Sequence, residues 1–233
     1  MDMGCGHPDL FAGVVVLGPT PNSDLFMHYW TNAQKLPFYV VSGEMAGASA
    51  PNLRKVFERW MPRGFPALMT QYKGRGVEWY SQEIPRIFDW FSRKTRTRGT
   101  ASLRLNSATF EPWNIGRETD NRFYWVGTTE VQRRHLIATS GFGKGWVPAS
   151  IAADLRAGNE IVLRTLGLKT VVVWLERDMI DWTRPVRVVL NGQPPIRYVP
   201  KVMQPDIALM FEELYRTGDR KMLFLGRLEF ATP

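Results

Sequence analysis

Two glutamates in glycine-containing loops, three scattered histidines and one cysteine are the side chains of this chain that could move a proton or attack a bond. Glu44 stands in Gly43-Glu44-Met45-Ala46-Gly47, and Glu78 in Lys73-Gly74-Arg75-Gly76-Val77-Glu78-Trp79, each just past a short apolar run. A loop carboxylate can orient a histidine or take part in proton transfer, but it can equally be solvated or salt-bridged. The histidines supply no obvious partner: His7 precedes Pro8, His28 sits among Met27, Tyr29 and Trp30, and His135 follows Arg133-Arg134. None forms a motif with another. Cys5 stands alone, so no intramolecular disulfide is possible, and its context reads as a plain thiol. No Gly-x-Ser-x-Gly occurs, and Gly141-Phe142-Gly143-Lys144-Gly145 lacks the spacing and following hydroxyl of a phosphate loop, which leaves a flexible hairpin. Glu44 and Glu78 are the only weak catalytic candidates; no cofactor or metal is expected.

The elements that must position these loops alternate. Val14-Val15-Val16-Leu17, Phe38-Tyr39-Val40-Val41 and Ala67-Leu68-Met69-Thr70-Gln71-Tyr72 are short apolar runs, each followed by helix-like spacing. The first 98 residues therefore predict β-α-β-α-β-α with a parallel sheet. The first helix is expected from Ser23-Asp24 to about Lys35, and Pro37 favours the return to extended chain. The second runs from about Pro51 to Trp60, with Leu53, Val56, Phe57 and Trp60 on one face; the third runs from Ser81 to about Lys94, with Ile84, Ile87, Phe88 and Phe91 inward. In open α/β sheets ligands gather beyond the carboxyl ends of the strands, which singles out residues 18–22, 42–50 and 73–80.

Composition bounds the classes. With 233 residues, 44% of them hydrophobic, the chain can build one large or two small cores. Thirty Lys plus Arg against 22 Asp plus Glu give a net charge of +8, scattered except at Arg93, Lys94, Arg96 and Arg98, followed by Arg104. Those cations fall where the third helix ends and suit its dipole and a solvated linker, and no nucleic-acid-binding signature accompanies them, so no specific nucleic acid is expected. No apolar run is long enough to span a membrane, and no signal peptide opens the chain; the sequence reads as soluble. Compartment and oligomeric state stay open.

After the linker, residues 99–233 change to closely spaced strands, expected at 101–110, 122–126, 150–155, 160–165, 169–175, 186–190 and 195–199. Asn191-Gly192 is a strong hairpin signal. A helix from Pro205 to Arg216 ends at Gly218 before a last strand at 222–230. Regular short strands predict a β-sandwich, immunoglobulin-like, with one helix. Trp113, Trp125, Trp146, Trp174 and Trp182 invite a platform for stacking on ligands, best at Trp113 and Trp146, though core and corner positions are commoner for tryptophan in such a domain.

The first two-fifths of the chain resembles the α/β-hydrolase superfamily, specifically dienelactone hydrolase and prolyl-oligopeptidase-like esterases and peptidases. The resemblance is carried by His7-Pro8-Asp9-Leu10-Phe11-Ala12-Gly13-Val14, Pro37-Phe38-Tyr39-Val40-Val41-Ser42-Gly43-Glu44-Met45-Ala46-Gly47 and Tyr72-Lys73-Gly74-Arg75-Gly76-Val77-Glu78-Trp79. Asn159-Glu160-Ile161, Val173-Trp174-Leu175, Met179-Ile180-Asp181, Arg184-Pro185-Val186-Arg187-Val188 and Gly218-Asp219-Arg220 resemble the carboxyl-terminal extension of some bacterial members. The resemblance implies the carboxyl-terminal half of an α/β-hydrolase, residues 1–98, followed by the β-rich domain. It also implies that the nucleophile lies upstream of Met1, that Ala46 holds the acid's place with Glu44 nearby, and that Val77 holds the histidine's place with Glu78 beside it. The expected function is therefore the carboxyl-terminal portion of a serine hydrolase whose parent takes a small-molecule ester or peptide, without turnover on its own. The alternative is a non-catalytic module binding a polysaccharide or protein.

Overall fold

The computed structural model describes residues 1–19, 28–47, 49–97, 112–137, 145–196 and 198–232. They fall into two compact units, Met1–Thr97 and Arg98–Pro233.

In the first unit the three apolar runs become β1 (Val14–Leu17), β2 (Phe38–Gly43) and β3 (Ala67–Tyr72), parallel and in that order. The middle strand is buried along its whole length, so it needs apolar side chains on both faces. Alternation then divides them. Tyr39 and Val41 pack with Ile87 and Trp90 of α3 (Ile84–Ser92), whereas Phe38 meets Trp60 at the end of α2 (Ser49–Trp60), ring centroids 5.1 Å apart. The short α1 (Asp2–Gly6) also lies on the Phe38 side, its Gly4 close against Val14, Leu36 and Phe38. The predicted inner face of α2 matches the structure, with Leu53, Val56, Phe57 and Trp60 all buried. The inner face of α3 does not: Ile87 and Trp90 are buried and Phe88 is 69% exposed. A 3-10 turn over Ser81–Glu83 sets the register, and three-residue steps from Ile84 then select residues 87 and 90. Of the first expected helix, residues 23–27 lie outside the described residues, and its described end is a 3-10 helix, Trp30–Lys35.

The second unit holds nine strands among its described residues: β4 (Trp113–Ile115), β5 (Arg122–Phe123), β6 (Val126–Gly127), β7 (Ala149–Arg156), β8 (Glu160–Leu166), β9 (Thr170–Glu176), β10 (Pro185–Leu190), β11 (Lys201–Val202) and β12 (Phe224–Ala231). They form a five-stranded sheet, β11-β10-β8-β7-β4, and a four-stranded antiparallel sheet, β12-β9-β6-β5, around one shared core. The helix α4 (Ile207–Thr217) packs on β12, starts at Asp206, whose carboxylate caps the Leu209 N–H at 3.0 Å, and ends at Gly218 with φ of 66°. Asp206 also donates its own N–H to the Leu225 carbonyl at 2.7 Å.

This architecture corrects the expected one. The molecule is mostly β, with three sheets: the first is parallel, the second mixed and the third antiparallel. It is not a β-α-β-α half of an α/β-hydrolase followed by an antiparallel sandwich. Apolar runs locate strands but not their neighbours. The chain leaves the five-stranded sheet after β8, runs through β9 in the other sheet, and returns as β10, which places β10 parallel to β8. The return strand expected at 195–199 is also absent among the described residues. The turn at Asn191-Gly192 closes with Leu190 and Gln193 paired, but the partner of β10 is β11 at 201–202. Pro194, Pro195 and Pro200 have no N–H to give a ladder, so pairing resumes only beyond them. The strand expected at 101–110 and most of the 141–145 glycine loop lie outside the described residues. Among the described residues no helix is long and apolar enough to cross a membrane.

One buried side chain ties the loop before β10 to the sheet. Asn159, at φ of 62°, donates through Nδ2 to the Asp181 carbonyl at 2.7 Å and accepts from the Asp181 N–H at 2.8 Å. Asn159→Ala removes these bonds and the one from Nδ2 to the Arg184 carbonyl at 3.2 Å, and is expected to lower unfolding free energy by about 1–3 kcal/mol in urea titration.

Candidate functional site

The loops that follow β1, β2 and β3 meet at one end of the parallel sheet. Gly18, after β1, sits against Val77; the Glu44 N–H donates to the Tyr72 carbonyl at 2.9 Å, and the Met45 N–H to the Arg75 carbonyl at 2.8 Å. Gly43 is where contact is closest. A Cβ there would collide with the Arg75 and Gly76 carbonyls, so the sequence needs glycine at the end of β2 for the third loop to fold over it.

Both predicted carboxylates are used inside this assembly. Glu44 accepts from the Gly74 N–H through Oε2 at 3.0 Å. Glu78 makes a two-pronged ion pair with Arg75, whose Nη2 donates to Glu78 Oε2 at 3.0 Å, and the Arg75 guanidinium holds the Glu78 carboxyl below its ordinary value. A carboxylate held in that state keeps its charge and is a poor proton donor near neutral pH. Ala46 is buried, and Val77 is exposed with nothing to titrate. The remaining candidates are dispersed. His7 follows α1, His28 precedes the 3-10 helix at Trp30, and His135 belongs to the second unit, where its Nδ1 faces the Val147 carbonyl at 2.9 Å and its Nε2 accepts from Arg134. Cys5 is buried, and burial pushes its thiol up to about 12, which makes it unreactive as a nucleophile. Among the described residues no group of three or more His, Cys, Asp or Glu is arranged to hold a metal ion.

The large apolar side chains left facing solvent on these loops stand beside two exposed charged residues, Glu44 and Lys73. Trp79 is 70% exposed, Met45 equally so, and Val77 stands out between them in sequence and beside Gly18 in space. The loop carrying them is braced by the Arg75–Glu78 pair, by the Tyr80 hydroxyl donating to the Gly76 carbonyl, and by the Tyr72–Tyr80 stack at 5.4 Å. Trp79 is the functional candidate that spacing did not single out; the signal available was a tryptophan in a Gly-Arg-Gly loop, where no helix or strand periodicity gives it an inward face. The two tryptophans expected as platforms are placed differently. Trp113 is wholly buried and stacked on Phe123 at 5.7 Å, so its faces are covered, and Trp146 is half-buried with its indole N–H donating to the Leu136 carbonyl at 3.2 Å.

Beneath the loops lies a second carboxylate centre. Glu83 is fully buried and accepts from the hydroxyls of Tyr39 and Tyr72, with Thr70 Oγ1 at 3.4 Å and Arg86 Nη1 at 3.5 Å. Burial raises its carboxyl, but the tyrosine hydrogen bonds and Arg86 outweigh that and hold it below the ordinary value of 4.5. The Tyr39 and Tyr72 phenols are pushed up, Tyr39 first by burial and Tyr72 first by its bond to Glu83. Every oxygen of this centre is engaged by its own fold, and it reads as a brace between β2, β3 and α3.

In comparisons with known proteins, no protein family, curated protein or solved structure matches the chain.

Because the folded carboxyl of Glu83 titrates below the unfolded one, its contribution is complete above about pH 4.5 and is lost as pH falls through the lower, folded value. Glu83→Gln is expected to cost about 2 kcal/mol at pH 7 and to flatten the acid limb of the stability curve. Thermal melts from pH 7 to pH 3 check this; parallel curves for the two proteins refute it.

Proposed function

We propose that this chain is a non-catalytic binding module that holds a segment of a partner protein against the loops at the carboxyl end of β1, β2 and β3. The observation that carries the reading is the exposure of Trp79, Met45 and Val77 on a braced loop cluster in which Glu44 accepts from the Gly74 N–H and Glu78 pairs with Arg75. A surface that adds proton chemistry needs a free acid or base; a surface that docks a partner needs rigid aromatic and Met side chains, the types enriched at interface cores and hot spots. Sugar platforms pair an aromatic face with hydrogen-bonding side chains at their edge. Here Met45 and Val77 are exposed as well as Trp79, with Glu44 and Lys73 as the exposed charges on the loops, and the three large apolar side chains support a peptide over a polysaccharide.

Peptides selected from a displayed library on the purified chain are expected to be rich in apolar residues and to bind Trp79→Ser at least about tenfold more weakly, consistent with a hot spot of about 1.4 kcal/mol or more. Selected peptides that bind wild type and Trp79→Ser equally, or glycan binding that depends on Trp79 without any peptide binding, defeat the reading.

One observation favours a second reading, a portion of a serine hydrolase: the three loops converge beyond the carboxyl ends of parallel strands, where α/β enzymes gather their reacting groups. In that reading Glu44 or Glu78 serves a nucleophile and base supplied from elsewhere. The chain alone is then expected to leave p-nitrophenyl acetate and longer p-nitrophenyl esters intact. Ester turnover by the purified chain, abolished by a serine-directed phosphonate, contradicts both readings as stated.

A further inference from the structure

Asn191-Gly192 is the only Asn-Gly pair in the chain, and both residues are exposed in the turn that follows β10. Of the residues that can follow asparagine, glycine hinders least the attack of its own backbone nitrogen on the side-chain amide, because it brings no Cβ. In this fold nothing lies within 4 Å of where a Cβ on Gly192 would stand, and the Gly192 N–H makes no hydrogen bond among the described residues. The attacking atom is therefore open to solvent.

The group it would attack is held. Between parallel strands, a residue gives its N–H to one residue of the neighbouring strand and accepts an N–H from the residue two further along. Asn191 keeps the first half of that pattern: its N–H donates to the Leu163 carbonyl at 2.9 Å. The chain then turns at φ of 51°, and the side chain makes the second half. Its Oδ1 accepts from the Thr165 N–H at 2.8 Å, while its Nδ2 donates to Thr165 Oγ1 at 3.0 Å. The Asn191 amide thus stands in for a peptide group at the end of the β8–β10 ladder, fixed at both its oxygen and its nitrogen.

We propose that Asn191 is a site of spontaneous deamidation and that Thr165 sets its rate by pinning the amide that must turn toward Gly192. The Gly192 nitrogen gives its proton to solvent base and attacks Asn191 Cγ, the Cγ–Nδ2 bond breaks, and ammonia leaves. Water alone then opens the cyclic imide. Opening at Cγ gives aspartate, whose carboxylate still accepts from the Thr165 N–H and now accepts from the Thr165 hydroxyl as well. Opening at the former peptide carbonyl gives isoaspartate, in which the main chain runs through Cγ and is one methylene longer. That methylene falls between the residue-191 N–H bonded to Leu163 and the Gln193 partner of Leu190, so this product loosens the end of β10. Either product lowers the net charge of +8 by one.

The test is the conversion of Asn191 in the full folded chain during incubation at mildly alkaline pH, followed by peptide mapping with mass spectrometry and by labelling with an isoaspartate-specific methyltransferase. In Thr165→Val the conversion should run about three- to tenfold faster than in wild type, the factor that one net hydrogen bond is worth. Thr165→Ser restores the hydroxyl and should return the rate to that of wild type. Circular dichroism before incubation verifies that both variants fold. A measurement that needs no variant compares wild type folded and in concentrated urea, where conversion at Asn191 should be faster because the bonds to Thr165 are gone. The isoaspartate form, once separated, should unfold at lower urea concentration than the aspartate form. Equal rates in wild type and Thr165→Val, equal acceleration by Thr165→Val and Thr165→Ser, equal rates in folded and unfolded wild type, or no conversion at Asn191 in any of these proteins overturns the proposal. An isoaspartate form as stable as the aspartate form overturns the loosening of β10.

Discussion

A carboxylate buried without water must be supplied with donors by the protein, and Glu83 is the residue around which the first unit satisfies that requirement. Two tyrosines reach it from adjacent strands, β2 and β3, and one arginine from the first turn of α3. Leaving such a charge unpaired would cost far more than the pairing returns, so the three elements are held in one arrangement. That arrangement sets where the third loop begins, because Tyr72 is both a Glu83 partner and the last residue of β3, and its ring stacks on Tyr80 at the other end of the loop. The position of Arg75, Val77 and Trp79 over Gly43 follows from it.

The loop cluster is held together by its own polar side chains. Glu44 is spent on a backbone N–H, Glu78 on Arg75, and the Tyr80 hydroxyl on a carbonyl. Each of these bonds stiffens the loop. Toward solvent stand an aromatic ring, a thioether and a branched aliphatic chain, with Glu44 and Lys73 exposed on the same loops. Rigid support lowers the entropy lost when such side chains meet a partner, which is the physical advantage of the binding surface proposed there.

The three strands of the first unit, the longer strands of the second and the two longer helices were legible because their signals are local, whereas the short β4 and β11 were not. Val14–Leu17, Phe38–Val41 and Ala67–Tyr72 carry β-branched or aromatic runs, the face of α2 follows a helical period, and Gly218 ends α4 as its positive φ requires. Sheet membership was not legible, because it depends on where the chain crosses from one layer to the other. The parallel pairing of β8 with β10 is set by the excursion through β9 and by the Asn159 link to the loop at Asp181, neither of which leaves a periodic trace. The site was half legible. Glu44 and Glu78 stand on the loops that spacing indicated, but their partners, Gly74 and Arg75, had to be seen in space. Glu83 was hidden because a glutamate ahead of Ile84-Pro85 looks like an ordinary first-turn residue, and only the tyrosine tips of Tyr39 and Tyr72 mark its burial. Trp113 went the other way: a large ring on a short strand fills the core as readily as it serves a ligand, and here it fills the core.

The last strand, β12, lies at the border of its antiparallel sheet, and eight residues of open border would ordinarily template the stacking of further chains into fibrils. Three features work against that. A bulge between Phe224 and Gly226 breaks the regular spacing, the N–H of Asp206 occupies the Leu225 carbonyl, and Arg227 and Glu229 place paired charges on the outward side. The same helix start that caps α4 thereby shields the sheet, so a substitution that frays the amino-terminal end of α4 would expose the chain to amyloid-like growth before it disturbed any core residue.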